Sequence, residues 1–224
     1  MQQFHEIKRR LFQRIVGSAV YVAVTDAEGK TWEAAGFIAA KNGYVVTAQH
    51  VIANGTSIMV RRLHLPEKSW APEVLSSHPA ELIDANKVAD LALLKLRDPP
   101  EDLRPVRLAD SNRLLLHDTV YRVGNDATGP KLAVGPITAF SWHELLPEFT
   151  SSMAAEYGTS GGPLFNVKGR LIGMAQRVSC HSRDADALYA IPSNAIRNFL
   201  LAPAGLRRPQ AIMGSWWEPQ RAVR

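Results

Sequence analysis

The chain has 224 residues, 46% of them hydrophobic and 21% charged, which is the composition of a folded protein and excludes a disordered one. This length holds one domain or two small lobes, and a single cysteine, Cys180, excludes an internal disulfide framework or a zinc site built from several thiolates. The net charge of +5 is split between the two ends (Lys8, Arg9, Arg10 and Arg14; Arg207, Arg208, Arg221 and Arg224) with no interleaved aromatic motif, so composition argues against nucleic acid as the partner.

Residues 3–16 carry Phe4, Ile7, Leu11 and Ile15 at three- and four-residue steps, which predicts an amphipathic helix packed on the body. The period then drops to two. Ser18 to Val24 reads as a strand, residues 26–30 as a turn, Ala35 to Ala40 as the returning strand, and Lys41-Asn42-Gly43 as a hairpin turn into Tyr44 to Thr47. Further strands are expected at Ser57 to Leu63, Trp70 to Leu75, Ala80 to Asp84 and Leu91 to Leu96. Residues 98–105, rich in proline and charge, read as a linker. Beyond it the pattern resumes at Thr119 to Val123, Lys131 to Val134, Ile137 to Phe140, Gly162 to Phe165, Leu171 to Ala175 and Leu188 to Ile191. Ser193 is expected to cap a closing helix that runs to about Leu201 and stops at Pro203. Short, closely spaced strands predict an all-β architecture of two lobes and exclude a βαβ sheet. The expected division is 1–16 for the helix, 17–104 and 105–201 for the two β lobes, and 202–224 for a tail.

Three segments place reactive side chains where strands give way to turns: Val45 to Val51 with His50, Ala89 to Leu94 with Asp90, and Gly158 to Leu164 with Ser160. A histidine after a strand, an aspartate before one and a glycine-rich turn each have an ordinary structural explanation. Together they supply a nucleophile, a base to take its proton and a carboxylate to hold the base's tautomer. The glycines around Ser160 also permit a turn that presents backbone N–H groups to an oxyanion. Chain order discriminates among folds. Gly158-Thr159-Ser160-Gly161-Gly162 fits the G-x-S-x-G elbow of α/β-hydrolases, but no acidic residue separates Ser160 from the only later histidine, His181. An Asp26, His50, Ser160 order would suit subtilisins, which need parallel strands and helices. The order His50, Asp90, Ser160 agrees with two β lobes.

On these residues the chain resembles trypsin-like serine proteases of the HtrA/Deg branch. The resemblance rests on Gly36-Phe37-Ile38 and Gly43 to Ile52, on Ala89 to Leu96, on Val106 to Ser111 and Val120 to Asn125, on Tyr157 to Leu164, and on Ala190 to Asn194. It covers roughly residues 16–201. It implies a pair of antiparallel six-stranded β-barrels, with His50 as general base, Asp90 as its orienting carboxylate and Ser160 as nucleophile. It further implies an oxyanion hole from the N–H groups of Gly158 and Ser160. The substrate-binding residues that it implies are Ala154, Glu156 and Tyr157. Ala154 falls at the floor of the first specificity pocket, and with no carboxylate there a neutral, aliphatic residue is expected before the scissile bond. Thr159 stands where secreted trypsins carry an aspartate that pairs with a newly cut N-terminus, so activation by that route is not expected.

No cofactor is implied, and His64, His78, His117 and His143 lack the spacing of metal ligands. No apolar run reaches the ~18 residues that span a bilayer, and residues 15–24 are too β-branched and alternating for a signal peptide. The family's usual PDZ module is not expected in the 23 residues after Leu201 (224 − 201). With one cysteine, the expected location is cytoplasmic. The expected partners are a protein or peptide substrate and a regulatory protein bound through the N-terminal helix or the Trp216-Trp217 tail. The competing function is a catalytically silent binding or scaffolding module.

Overall fold

A computed structural model describes residues 2–202, apart from 68, 70, 127–128, 144–145, 154–157 and 180–186. Helix α1 (Gln2–Val16) leads into two closed six-stranded antiparallel barrels. The first is built from β1 (Ala19–Thr25), β2 (Thr31–Ile38), β3 (Tyr44–Thr47), β4 (Ser57–His64), β5 (Glu73–Asn86) and β6 (Leu91–Leu96), with a one-turn helix α2 (Gln49–Ile52) after β3. The second comprises β7 (Thr119–Asp126), β8 (Gly129–His143), β9 (Leu146–Ser151), β10 (Pro163–Phe165), β11 (Leu171–Ser179) and β12 (Ala187–Pro192). Helix α3 (Ser193–Leu201) closes the described chain. Strand order is β1-β2-β3-β6-β5-β4 in one barrel and β10-β11-β12-β9-β8-β7 in the other.

The all-β expectation is met, and the departures from it follow from barrel closure. Residues 70–84 read as two strands, but β5 is one 14-residue strand that pairs with β4 up to Ala80 and with β6 from there on. Pro79 lies within it, paired with Met59, although proline brings no N–H to the ladder. Likewise β8 runs unbroken through Gly135 and Pro136, which separate two strands in the sequence pattern. Strand β9 was not expected at all. Leu146 to Ser151 has no clean alternation of apolar and polar types, because Glu148, Thr150 and Ser151 are buried along with Phe149, so both faces of the strand's second half are covered.

One hydrophobic cluster fills the first barrel and continues through Val123, Phe165, Leu171, Met174, Ile196 and Phe199 of the second half. A smaller cluster around Phe149, Ile137, Leu164 and Met153 fills the second barrel. Each fully buried Phe or Leu contributes about 1.5–3 kcal/mol of apolar transfer, and this burial holds the barrels together. Helix α1 straps both halves. Its Ile15 and Val16 are fully buried, Phe12 meets Tyr121 of β7 edge-on with ring centroids 6.0 Å apart, and Arg9 donates to the carbonyl of Ser69. Residues 98–105 are no free linker, since Leu103 is buried and the N–H of Val106 bonds the carbonyl of Ile38. Ser193 does not cap α3. Pro192 holds the cap position, and the Ser193 hydroxyl donates to the carbonyl of Ala109 instead.

Candidate active site

Strand β3 ends at Thr47, and the chain turns through Ala48 into α2, which carries His50 on its first turn. The indole N–H of Trp32 donates to the carbonyl of Val51 at 2.8 Å and pins this short helix to β2. Asp90 immediately precedes β6, which pairs with β3, so sheet register alone brings it beside His50. Asp90 adopts φ of 50°, a left-handed conformation that aspartate tolerates better than most residues, at a cost on the order of 1 kcal/mol. That geometry lets its backbone carbonyl accept the N–H of Gln49 while its carboxylate accepts the N–H of His50 at 2.9 Å. The side chain of Asn86 accepts the N–H of Ala89 and shapes the preceding turn.

The same carboxylate lies 2.9 and 3.0 Å from His50 Nδ1. An ionised carboxylate only accepts, so Nδ1 carries the hydrogen and Nε2 is left as a bare acceptor. The hydrogen bond that His50 donates to Asp90, reinforced by the carboxylate's charge and opposed by partial burial, raises the His50 pKa above the ordinary 6.5. Asp90 is nearly buried, while half of the His50 side chain is exposed. His50 therefore has a shielded anchor and an open face.

Ser160 comes from the second barrel in the turn between β9 and β10. Gly158 and Gly161 adopt φ of 90° and 82°, values that place Ser160 at the crest of the turn and favour glycine on either side. The carbonyl of Ser160 accepts the N–H of Ala35 in β2 at 2.9 Å, and the N–H of Gly161 donates to the carbonyl of Ala175. A methyl group on Gly161 would collide with the Ala35 carbonyl oxygen and the Thr47 hydroxyl. The turn therefore lies against the β2–β3 edge, whose last residue, Thr47, is three residues along the chain from His50. The Ser160 hydroxyl donates to the backbone carbonyl of Gln176 at 3.0 Å, and no hydrogen bond joins it to His50 among the described residues.

The structure thus brings His50, Asp90, Gly158 and Ser160 to the interface of the barrels. The expected substrate-binding residues Ala154, Glu156 and Tyr157 lie outside the described residues, as do Cys180, Trp216 and Trp217. Of the other histidines, His78 bonds the Ser76 hydroxyl and His64 sits 3.9 Å from Glu73, apart from the site. Two contributors were missed in the sequence reading. Gln176 takes part through its backbone carbonyl, which no side-chain type announces in a sequence. Arg122 is buried beneath the serine turn, where its Nη1 donates to the Thr159 hydroxyl at 2.8 Å. Its signal was a charged residue on the same strand face as Val120, which is fully buried.

Two closed six-stranded barrels with a histidine–aspartate pair on one and a Gly-x-Ser-Gly-Gly turn on the other define a chymotrypsin-like architecture. The chain belongs to the trypsin-like peptidase domain family, whose pattern matches residues 34–174. Among its relatives is a protein of Ectopseudomonas mendocina named probable periplasmic serine endoprotease DegP-like, 32% identical over 163 residues, which are 70% of this chain and 32% of that protein. A protein of Brucella suis with the same name is 28% identical over 176 residues, 72% of this chain and 31% of its own length. The chain therefore spans about a third of the curated relatives it matches. Among solved structures, the HtrA-type protease AlgW with a tripeptide superposes with a TM-score of 0.72 at 21% identity, covering 86% of this chain and 63% of that one. The serine endoprotease from Yersinia pestis gives 0.70 at 23% identity, with 86% and 64% covered.

These relatives correct the expected location. They are named periplasmic, which overturns the cytoplasmic reading. The physical error was to treat a lone cysteine as a sign of a reducing compartment. Barrels held by apolar packing need no disulfide, so the cysteine count does not distinguish a reducing compartment from an oxidising one.

Proposed function

We propose that this chain is the protease unit of a serine endopeptidase that uses Ser160 as nucleophile, His50 as general base and acid, and Asp90 as its orienting carboxylate. The carrying observation is the His50–Asp90 pair, with Nδ1 tied to the carboxylate and Nε2 free, across the barrel interface from the Ser160 turn. The Ser160 Oγ attacks the peptide carbonyl carbon while its proton passes to His50 Nε2. The Gly158 and Ser160 N–H groups receive the negative oxygen. The C–N bond then breaks as Nε2 returns the proton to the leaving amine, and water releases the acyl group by the same steps in reverse. For attack, the Ser160 hydroxyl must turn about its Cα–Cβ bond from the Gln176 carbonyl toward His50. One neutral hydrogen bond is worth about 1 kcal/mol, so this resting rotamer is a light brake and not a disabled site.

The expected substrate is a protein or peptide with a neutral, aliphatic residue before the scissile bond, and the expected location follows the periplasmic relatives. The light brake on Ser160 supports control by a partner that shifts the rotamer. The apolar residues of α1 from Leu11 onward already pack on the chain's own body, which leaves the Trp216-Trp217 segment as the better contact for such a partner. Labelling with a fluorophosphonate, with mass spectrometry of the adduct, tests the nucleophile. The expected adduct is on Ser160, and its absence under every condition tried would return the chain to the scaffolding alternative. A positional-scanning peptide library tests specificity, and cleavage confined to sites after arginine or lysine would overturn the aliphatic preference.

A further inference from the structure

We infer that Arg122 is a positioning residue for the oxyanion turn, acting through the hydroxyl of Thr159. This inference rests on the proposal that Gly158 and Ser160 donate to the oxyanion. Thr159 directly precedes Ser160, so the Thr159–Ser160 peptide plane, which carries the Ser160 N–H, follows the orientation of Thr159. It is 1% exposed, and Arg122, 4% exposed, reaches it from β7 with Nη1 2.8 Å from Oγ1. The backbone of Arg122 is itself fixed, paired on one side with Leu164 of β10 and on the other with Ala133 of β8. The guanidinium is thus mounted on a strand bonded to β10, the strand that follows the serine turn. A second anchor holds the turn from below, since the carbonyl of Thr159 accepts the N–H of Gly162 at 3.0 Å.

A charged donor gives a shorter, stronger hydrogen bond than a neutral one, and in a buried site its direction is well defined. Thr159 stands at the position where secreted trypsins are expected to hold a carboxylate against an ammonium group. Here the partner is again a cation, but it belongs to the body of the barrel, and the turn contributes a neutral acceptor in place of a carboxylate. Such an arrangement needs no cleaved terminus and keeps the turn in one conformation as soon as β7 and β10 pair. Loss of the bond removes the charged donor that orients the Thr159 side chain and loosens the Thr159–Ser160 peptide plane.

The test uses Thr159→Val, which keeps the shape and removes the acceptor, Thr159→Ser, which restores it, and Arg122→Met, which removes the cation. Amide hydrogen exchange across residues 158–162 is read in the free protein. Exchange is expected to accelerate about tenfold or more in Thr159→Val and Arg122→Met and to return toward the parent rate in Thr159→Ser. In turnover, kcat is expected to fall on the order of 10- to 100-fold with KM nearly unchanged, and affinity for a peptide boronate should fall in proportion while a non-reactive peptide binds as before. Unchanged exchange in a folded Thr159→Val would overturn the positioning role whatever the activity. Equal losses of boronate and plain-peptide affinity would do so too, because they indicate a general collapse of the site. Accelerated exchange in Thr159→Val and Arg122→Met, with a parent protein that never labels at Ser160, would uphold the hold of Arg122 on the turn and defeat the protease reading instead.

Discussion

On the first barrel, His50 and Asp90 are joined at 2.9–3.0 Å through both the backbone N–H and the ring nitrogen, and the left-handed backbone of Asp90 is committed to that geometry. On the second barrel, the Ser160 turn is equally well held by its backbone, but the hydroxyl itself is bonded to Gln176 and not to the base. His50 is therefore fixed by a network that would take several broken bonds to disturb, whereas the Ser160 hydroxyl is a single rotor. Any control over the site acts most cheaply on the second barrel.

The sharpest way to break this comparison is Ser160→Ala. Removing the rotor should lower turnover by about 10⁴-fold or more, with thermal unfolding unchanged. Residual hydrolysis near the parent rate would place the nucleophile elsewhere. Asp90→Asn attacks the committed side, with a comparable fall of about 10⁴-fold. It also carries a pH signature. Catalysis needs neutral His50, and Asp90 raises its pKa, so the rising limb of kcat/KM should lie above pH 6.5 in the parent and move to lower pH in the variant. The same shift has a stability consequence of known sign. The imidazolium–carboxylate pair stabilises the fold most fully below pH 6.5 and loses that contribution as pH rises through the raised pKa. A limb that stays in place in Asp90→Asn would show that the pair does not set the base.

Gly161→Ala tests the seam between the two regions. Its φ of 82° and the collision with Ala35 and Thr47 should cost at least ~2–4 kcal/mol in urea unfolding. A neutral result would mean that the turn does not seat on the first barrel as described. The smallest effect is expected at Asp110, which caps the 3-10 turn Ser111–Arg113 through the N–H of Asn112 and accepts a 2.8 Å hydrogen bond from the Asn194 amide of α3. Asp110→Ala should cost about 0.5–1 kcal/mol, at the low end of a lost cap because the carboxylate is exposed. The Asn194 hydrogen bond, helped by the backbone bond from Asn112, lowers the Asp110 pKa below 3.8. Its contribution should be present above that pH and fade as pH falls through the lowered value, so parent and variant should converge in acid.

Where strands alternate, or are short and β-branched, their existence was legible from the chain: β1, β3, β4 and β6 were expected within a few residues of where they lie. Strands β5 and β8 were read as pairs because proline and glycine usually mark breaks. Here Pro79, Gly135 and Pro136 are carried within long, bent strands. The expectation that the terminal helix packs on the body held for its described side chains. The expectation for Ser193 failed because a better acceptor, the Ala109 carbonyl, is brought to it from 84 residues away.

By itself, the sequence determined the chemistry available to this protein. It carries a histidine, an aspartate and a glycine-flanked serine in one chain order, with strand periodicity that admits two β lobes. Those properties are local, carried by side-chain type and the period of burial. Only the tertiary structure decided that Asp90 takes a left-handed backbone to grip His50, that the Ser160 hydroxyl rests on Gln176, and that Arg122 lies beneath the turn. Each of these joins residues on different strands, and only the closing of the barrels supplies those contacts.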